Sequence, residues 1–406
     1  MKDSDAIVIG AGPAGSFTAL KLAQSGIDVT VFEEHGQIGI PVHCAGHISI
    51  NGLKRLGMYP LPPSIVENTY RGAVFHSPLG NSFEVHLDSP ITCSLNRALF
   101  DRFVAEKAQD TGAHYRLGSR VEKLNIEKDN SSVVIKGEHD RIEQLRGKII
   151  IDAEGISSRI LRQTGLSTLN TRMLIKGVEA EVDNVIDTRQ DVVEVFLGAH
   201  YAPGFYAWLM PQKGGRAKIG LGASVGNPRE LLTRLMTKHP RVSERFRHAR
   251  ISQVAFHPIT LGGPVAKAYF DRFLAVGDVA SQVKPTTGGG VVFGMTCAAL
   301  AAEVAKKAVD LDDFSSDFLS SYQMRINETL GFDAKMMVRM RRILNKVSDR
   351  RLDKLIAFCS RIGLEKTLRS VEEIDLQASA LLRVVKSPRV LTALGYFLLT
   401  YLFANP

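Results

Sequence analysis

The chain has 406 residues, 45% of them hydrophobic and 23% charged, which suits a large ordered core and excludes a disordered or low-complexity protein. Its formal charge of +9 leaves an anionic membrane, a phosphorylated substrate and nucleic acid open as partners, and is equally compatible with simple solubility. The four cysteines, Cys44, Cys93, Cys297 and Cys359, form no CxxC pair, so neither a metal or iron–sulfur centre nor a disulfide framework is expected.

In chain order, Met1-Lys-Asp-Ser-Asp-Ala runs almost directly into a strand, so no secretory leader is expected. Residues 5–10 read as a buried parallel strand, Ser16 to Gln24 as a helix ending near Gly26, and Asp28 to Glu33 as a second strand, which together open a βαβ unit. Residues 36–62, rich in Gly, Pro and His, read mostly as loop. A helix is expected from Asn96 to Thr111, stopped at Gly112, with strands at 120–126, 131–136 and 147–152. The segments 192–197, 204–210 and 216–224 look antiparallel, with Lys213-Gly214-Gly215 at the hairpin turn. A short buried strand at 273–276 leads through a Gly-rich loop to a helix over 291–308, and from Phe314 onward the pattern is helical. The stretch holding Lys335, Arg339, Arg341, Arg342, Lys346, Arg350 and Arg351 is basic, and Val390 to Phe403 is apolar but too short to cross a bilayer comfortably.

Gly10-Ala-Gly12-Pro-Ala-Gly15 is a GxGxxG turn between strand and helix, and Glu33 ends the next strand at the spacing of a ribose-binding acid. Gly10 permits the tight turn, Gly12 lets backbone approach a pyrophosphate, and Gly15 lets the helix pack on the sheet. Ala14 belongs to the same cofactor-facing turn. The helix N-terminus supplies N–H donors and partial positive charge to the phosphates.

Far downstream, Phe273-Leu-Ala-Val-Gly277-Asp278-Val-Ala-Ser-Gln-Val-Lys284-Pro285-Thr-Thr-Gly288-Gly289-Gly290 resembles the second FAD signature of the flavoprotein hydroxylase superfamily. Its Lys-Pro-Thr-Thr-Gly-Gly-Gly run is similar to that of the geranylgeranyl reductase family, which includes archaeal digeranylgeranylglycerophospholipid reductases and enzymes of chlorophyll side-chain reduction. By this resemblance Asp278 binds the ribityl chain, and the Gly290–Val291 helix start faces the pyrimidine edge of the flavin. Arg97 matches an arginine near the flavin phosphates, and Val121 falls where backbone meets adenine. Ile151-Asp152-Ala-Glu154-Gly155 is similar to the family's Asp-Gly motif, with Glu154 in place of aspartate.

Pro41-Val-His43-Cys44-Ala45-Gly46-His47 resembles the family's Pro-x-x-x-Cys-Gly segment, which places Cys44 and Ala45 against the flavin and makes Cys44 a candidate on the substrate side. Phe205-Tyr206-Ala-Trp208-Leu-Met210-Pro211 resembles its Tyr-x-Trp-x-Phe-Pro motif, with Met210 and Gln212 replacing Phe and Lys. Strand alternation puts Tyr206, Trp208 and Met210 on one face, a candidate wall for a long apolar substrate.

The resemblance implies an α/β fold: a Rossmann-like, hydroxylase-like FAD-binding domain (1–170 and 261–312, with loop 36–62 facing the flavin), an antiparallel β-sheet substrate domain (171–260) and a C-terminal helical region (313–406). It implies an FAD-dependent oxidoreductase that saturates carbon–carbon double bonds in geranylgeranyl chains of phospholipid precursors. The alternatives are a geranylgeranyl-diphosphate or chlorophyll-type side-chain reductase, and an aromatic hydroxylase on the same scaffold. The expected partners are a prenyl lipid and an electron donor, which is ferredoxin, a deazaflavin or NAD(P)H since no second GxGxxG is visible. Nucleic acid is not expected. The expected location is cytoplasmic, with a peripheral contact at the inner face of the membrane made by the basic and apolar tail.

Overall fold

A computed structural model describes residues 3–127, 130–137 and 140–402, and these divide into two compact units. The first comprises Met1–Val42, Arg97–Arg172 and Thr260–Lys335; the second comprises His43–Asn96, Met173–Ile259 and Met336–Pro406.

The first unit is built on an eight-stranded sheet whose strands Phe273–Ala275, Ile142–Asp152, Ser4–Ile9, Val29–Phe32 and His114–Arg116 lie side by side and parallel. Ala6, Ile7 and Val8 have no exposed surface, as the uninterrupted apolar run requires of a strand covered on both faces. Strands Arg120–Ile126 and Ser131–Lys136 extend the long Ile142–Asp152 strand as an antiparallel flap. The helices Pro13–Gln24, Arg97–Asp110 and Val291–Leu311 lie at 13–24, 97–110 and 291–311, the first packing against both others. The first helix begins at Pro13, three residues before the expected Ser16, because a proline at the first helical position loses no hydrogen bond there and already has the right φ.

The second unit holds a seven-stranded sheet in the order Arg250–Thr260, Leu174–Asp183, Arg216–Ala223, Ala207–Gln212, Val192–Phe196, Gly72–His76, Ser82–His86. The neighbours from Leu174–Asp183 to Val192–Phe196 pair antiparallel, while Val192–Phe196 and Gly72–His76 pair parallel. One face carries Val178, Ala180, Leu209, Ile219 and Leu221 into a core closed by Leu231, Leu232 and Leu235 of helix Pro228–Lys238. The alternate positions, among them Glu179, Trp208, Met210 and Gly220, point to the other face.

The structure corrects several expectations. Residues 36–62 are not all loop: His47–Ser49 is a strand, and Ile50–Arg55 is a helix whose N-cap Ser49 accepts from Gly52 N–H. Residues 66–95, for which no strand is expected, hold four: Val66–Tyr70, Gly72–His76, Ser82–His86 and Thr92–Leu95. Two of these complete the second unit's sheet, so 43–96 clusters with that sheet and not with the dinucleotide half, and the C-terminal segment 336–406 clusters there too. The strand expected from Gly204 begins at Ala207, because 204–206 form a turn with Gly204 at φ 81°.

The C-terminal helices are fastened within the second unit. Asp353 of helix Asp349–Arg361 accepts from Ser77 and Asn81, Arg55 donates to Glu373 and Asp375, and Tyr396 of helix Pro388–Leu402 stacks on Phe358 at 4.0 Å. Among the described residues no helix is long and apolar enough to cross a membrane. The final position of the apolar stretch 390–403 lies outside the described residues.

Candidate active site

In the first unit the glycine turn follows Ser4–Ile9 at the carboxyl ends of the parallel strands, where open α/β sheets bind ligands. Gly10 has φ 96°, and a Cβ on Gly15 would stand 2.0 Å from the Gly10 carbonyl oxygen, so these two glycines are demanded by the chain itself. Gly12 differs. A Cβ there would meet nothing within 4 Å, and Gly12 caps the helix without a side-chain hydrogen bond, which leaves uncapped N–H groups beside open space. That combination fits the pyrophosphate of FAD.

Glu33 is buried at the edge of this turn. Its Oε2 accepts from Ala11 N–H at 2.8 Å, and its Oε1 accepts from His35 N–H at 3.0 Å with His35 Nδ1 at 2.6 Å. His35, absent from the sequence expectations, therefore helps orient the Glu33 carboxylate. Ser119 N–H donates to the Glu33 carbonyl, which brings Val121 of the Arg120–Ile126 strand to the same end of the site. Arg97 opens helix Arg97–Asp110 and forms a two-point pair with Asp101 at 2.9 Å, so its guanidinium is held in one orientation.

The second signature folds against the first. A Cβ on Gly277 would stand 3.0 Å from Ala14 Cβ, and one on Gly294 would stand 3.5 Å from it, so Ala14 is the small residue that lets the two segments meet. Asp278 follows Gly277 in a short turn, and its Oδ1 would be 2.9 Å from a Cβ on Gly290, which puts the carboxylate beside the start of helix Val291–Leu311. Gly290 caps that helix without a side-chain bond, so the helix start at Gly290 and Val291 leaves backbone N–H groups without a side-chain cap, donors of the kind that would suit the negative charge of a reduced flavin. Glu154 has a local task. Its Oε1 accepts from Ile160 N–H at 2.7 Å and its Oε2 from Ser157, capping helix Arg159–Gln163, a reach that the extra methylene permits.

The second unit brings together Cys44, Ala45, Tyr206 and Trp208. Ala45 and Trp208 pack on a small cluster of Tyr70, Val193 and Met210, and the Tyr206 ring stands edge-on to the indole at 6.0 Å. Cys44 is half-buried, with its Sγ 3.4 Å from Gly46 N. The loop covers part of the sheet's other face: the His43 ring stacks on His257 of Arg250–Thr260 at 5.5 Å, and the Ala45 carbonyl meets Lys218 Nζ of Arg216–Ala223 at 3.5 Å.

Under this loop the indole of Trp208 lies across strand Arg216–Ala223. It can do so only because position 220 is glycine, where a Cβ would be 2.5 Å from indole Cζ2. Its Nε1–H then donates to Glu179 Oε2 on the next strand at 2.9 Å. Lys218, almost wholly buried, donates to Glu67 Oε2 at 2.7 Å, which also accepts from Gln212. Burial pushes Tyr206 up to about 12, and it pulls the Arg341 guanidinium, 4.5 Å over the Phe205 ring, down to about 10. Neither Glu179 nor Lys218 is marked by any motif in the sequence; only the strand register 179–220–208 reveals them.

Residues 3–310 match the FAD binding domain family. The chain is 32% identical over 385 residues to digeranylgeranylglycerophospholipid reductase 2 of Methanopyrus kandleri, covering 93% of this chain and 96% of that one. It is 31% identical to digeranylgeranylglycerophospholipid reductase of Methanocaldococcus jannaschii, over 95% of this chain and 96% of the other. Its fold matches the crystal structure of a geranylgeranyl bacteriochlorophyll reductase-like protein from Thermoplasma acidophilum with a TM-score of 0.85 and 25% identity, covering 97% of this chain and 99% of that one.

Proposed function

We propose that this chain, which belongs to the digeranylgeranylglycerophospholipid reductase family of FAD-binding proteins, saturates carbon–carbon double bonds in geranylgeranyl chains of archaeal-type phospholipid precursors. The observation that carries the reading is likeness over nearly the whole length, through both units, to relatives named for that reaction. Both relatives bear a reductase name, which disfavours the hydroxylase alternative. FAD, when bound, supplies the electron pair for the double bond.

The residues divide the remaining work. Gly12 and the uncapped N–H groups of Pro13–Gln24 hold the pyrophosphate, Glu33 the ribose, Arg97 the phosphate side, and Val121 the adenine end. Asp278, Gly290 and Val291 hold the ribityl and pyrimidine portions. Cys44 and Ala45 belong to the reacting side, where Tyr206 and Trp208 form an apolar wall along which an isoprenoid is aligned. An isolated alkene has no carbonyl to polarise, so alignment and a timely proton are what this protein must provide.

The donor of electrons is a separate carrier, either ferredoxin, a deazaflavin or a diffusing nicotinamide. The protein works as a peripheral protein at the cytoplasmic membrane face. Helix Pro388–Leu402 supports this: Leu391, Leu394, Leu398 and Leu399 are exposed along it, while Val390 and Tyr396 face inward, and Lys386 and Arg389 stand at its start.

The test is reduction of a geranylgeranyl phospholipid by the FAD-loaded protein with dithionite or each candidate donor, read as a mass gain per saturated bond. A protein that holds FAD and leaves every such lipid unreduced overturns the reading. Flotation with anionic vesicles tests the membrane contact, which Leu391→Ser with Leu398→Ser should weaken.

A further inference from the structure

We propose that Gln282 and Tyr322 are positioning residues for FAD that fix the turn carrying Asp278, an assignment that deepens the cofactor reading and rests on Asp278 holding the flavin half. Both residues, this turn and the glycine turn of the first signature belong to the first unit.

The need arises where strand Phe273–Ala275 ends. The chain reverses almost at once, and Gly277 takes φ 82°, a left-handed value that glycine adopts without steric cost. The same freedom gives glycine little preference of its own, so its neighbours must hold it there. The next residue is Asp278, whose carboxylate stands beside the start of helix Val291–Leu311. A Cβ on Gly277 would stand 3.0 Å from Ala14 Cβ, so the turn also abuts the first glycine turn. A shift at Gly277 therefore moves Asp278 relative to the turn that receives the pyrophosphate.

Gln282 grips Gly277 at two points. Its backbone N–H donates to the Gly277 carbonyl at 3.1 Å, and its side-chain Oε1 accepts from Gly277 N–H at 2.6 Å. The amide can point only one way, because that N–H requires an acceptor. Its Nε2 is held in turn, donating to Tyr322 Oη at 2.9 Å and to the Ala275 carbonyl at 3.4 Å. The Tyr322 hydroxyl donates to the same carbonyl at 3.0 Å, so amide, phenol and carbonyl close a ring behind the turn. Gln282 and Tyr322 have no exposed surface, so water cannot replace a lost partner and a buried polar atom would be left unpaired. Tyr322 comes from helix Ser316–Ile326, beyond residues 3–310 that match the FAD binding domain family.

The test strips FAD from the full chain and titrates it back, reading flavin fluorescence, with ADP titrated separately by calorimetry. ADP reports on the adenosine half alone. Tyr322→Phe removes one hydroxyl and keeps the ring, so it should fold and should raise the FAD Kd about tenfold. The ADP Kd should not change. Gln282→Met removes the grip itself and should weaken FAD further. In an Asp278→Ala background, Tyr322→Phe should weaken FAD no more, because the phenol acts through that carboxylate. FAD and ADP weakened alike, FAD affinity unaltered in Tyr322→Phe, or full additivity with Asp278→Ala overturns the positioning role alone. An Asp278→Ala protein that binds FAD as tightly as wild type overturns the Asp278 assignment, and the positioning role with it.

Discussion

Two glutamates on opposite faces of the second unit's sheet are both pushed upward by burial, yet one comes out below the ordinary carboxylate range and the other above it. Glu194, on the packed face, accepts from His76 at 2.8 Å and from both terminal nitrogens of Arg245 at 2.6 and 3.0 Å. Although burial acts upward, these partners hold its carboxyl down at about 2. Glu179, on the other face, has an indole N–H and a lysine that also pairs with Glu67, and it is pushed up to about 7. What decides the outcome is how much opposite charge the fold commits to each group. The face sealed by Leu231 and Leu235 has its charge compensated for stability. The other face gives Glu179 less compensation, so its carboxyl keeps a proton to higher pH.

The comparison can be broken most forcefully at Arg245. Arg245→Ala leaves Glu194 buried with only His76, and should cost about 3–5 kcal/mol in a urea unfolding curve, whereas Glu179→Gln should cost far less. A loss under 1 kcal/mol for the arginine variant would show that the packed face does not depend on its ion pair. Next in size is Gly220→Ala. Its Cβ would stand 2.5 Å from the indole and 2.6 Å from the Val178 carbonyl. Displacing the ring should cost about 1–3 kcal/mol by the same unfolding assay and shift the single-tryptophan emission.

The pH dependence of stability should have opposite signs for the two residues. Glu194 lies below the ordinary 4.5, so its stabilisation is full above that value and is lost as pH falls through about 2. Glu179 lies above it, so the folded state gains most below 4.5 and loses that gain as pH rises to about 7. Between pH 5 and 8 the Tm of the wild type should fall more than that of Glu179→Gln; equal slopes would remove the raised carboxyl from the account. The smallest effect on folding is expected in the first unit, where the same contrast holds between glycines. Gly12→Ala meets nothing within 4 Å and should change stability by less than about 0.5 kcal/mol, yet it should lower the flavin absorbance of the purified protein.

Much of the cofactor half was legible in the sequence because its devices are local. A glycine turn announces itself by glycines, and an acid at the end of the next strand by spacing, so Gly10, Gly15 and Glu33 stand in the strand–turn–helix that the sequence predicts. The four strands between Val66 and Leu95 were not legible, since their pairing is with residues distant in sequence, as Gly72–His76 with Val192–Phe196. His35, Lys218 and Arg341 carry no motif at all.

The sequence by itself determined the cofactor class, the glycine turn between the first strand and helix, and the aromatic run from Phe205 to Trp208, because each depends on residues within a few positions of one another. Tertiary structure alone decided that Trp208 lies over Gly220 and touches Glu179, that the charge of Glu194 is paired while Glu179 is not, and that residues 43–96 join the second sheet. The reason is physical: a carboxyl's proton affinity and a ring's resting place depend on the atoms packed against them, and strand register brings those atoms from parts of the chain that no local pattern connects.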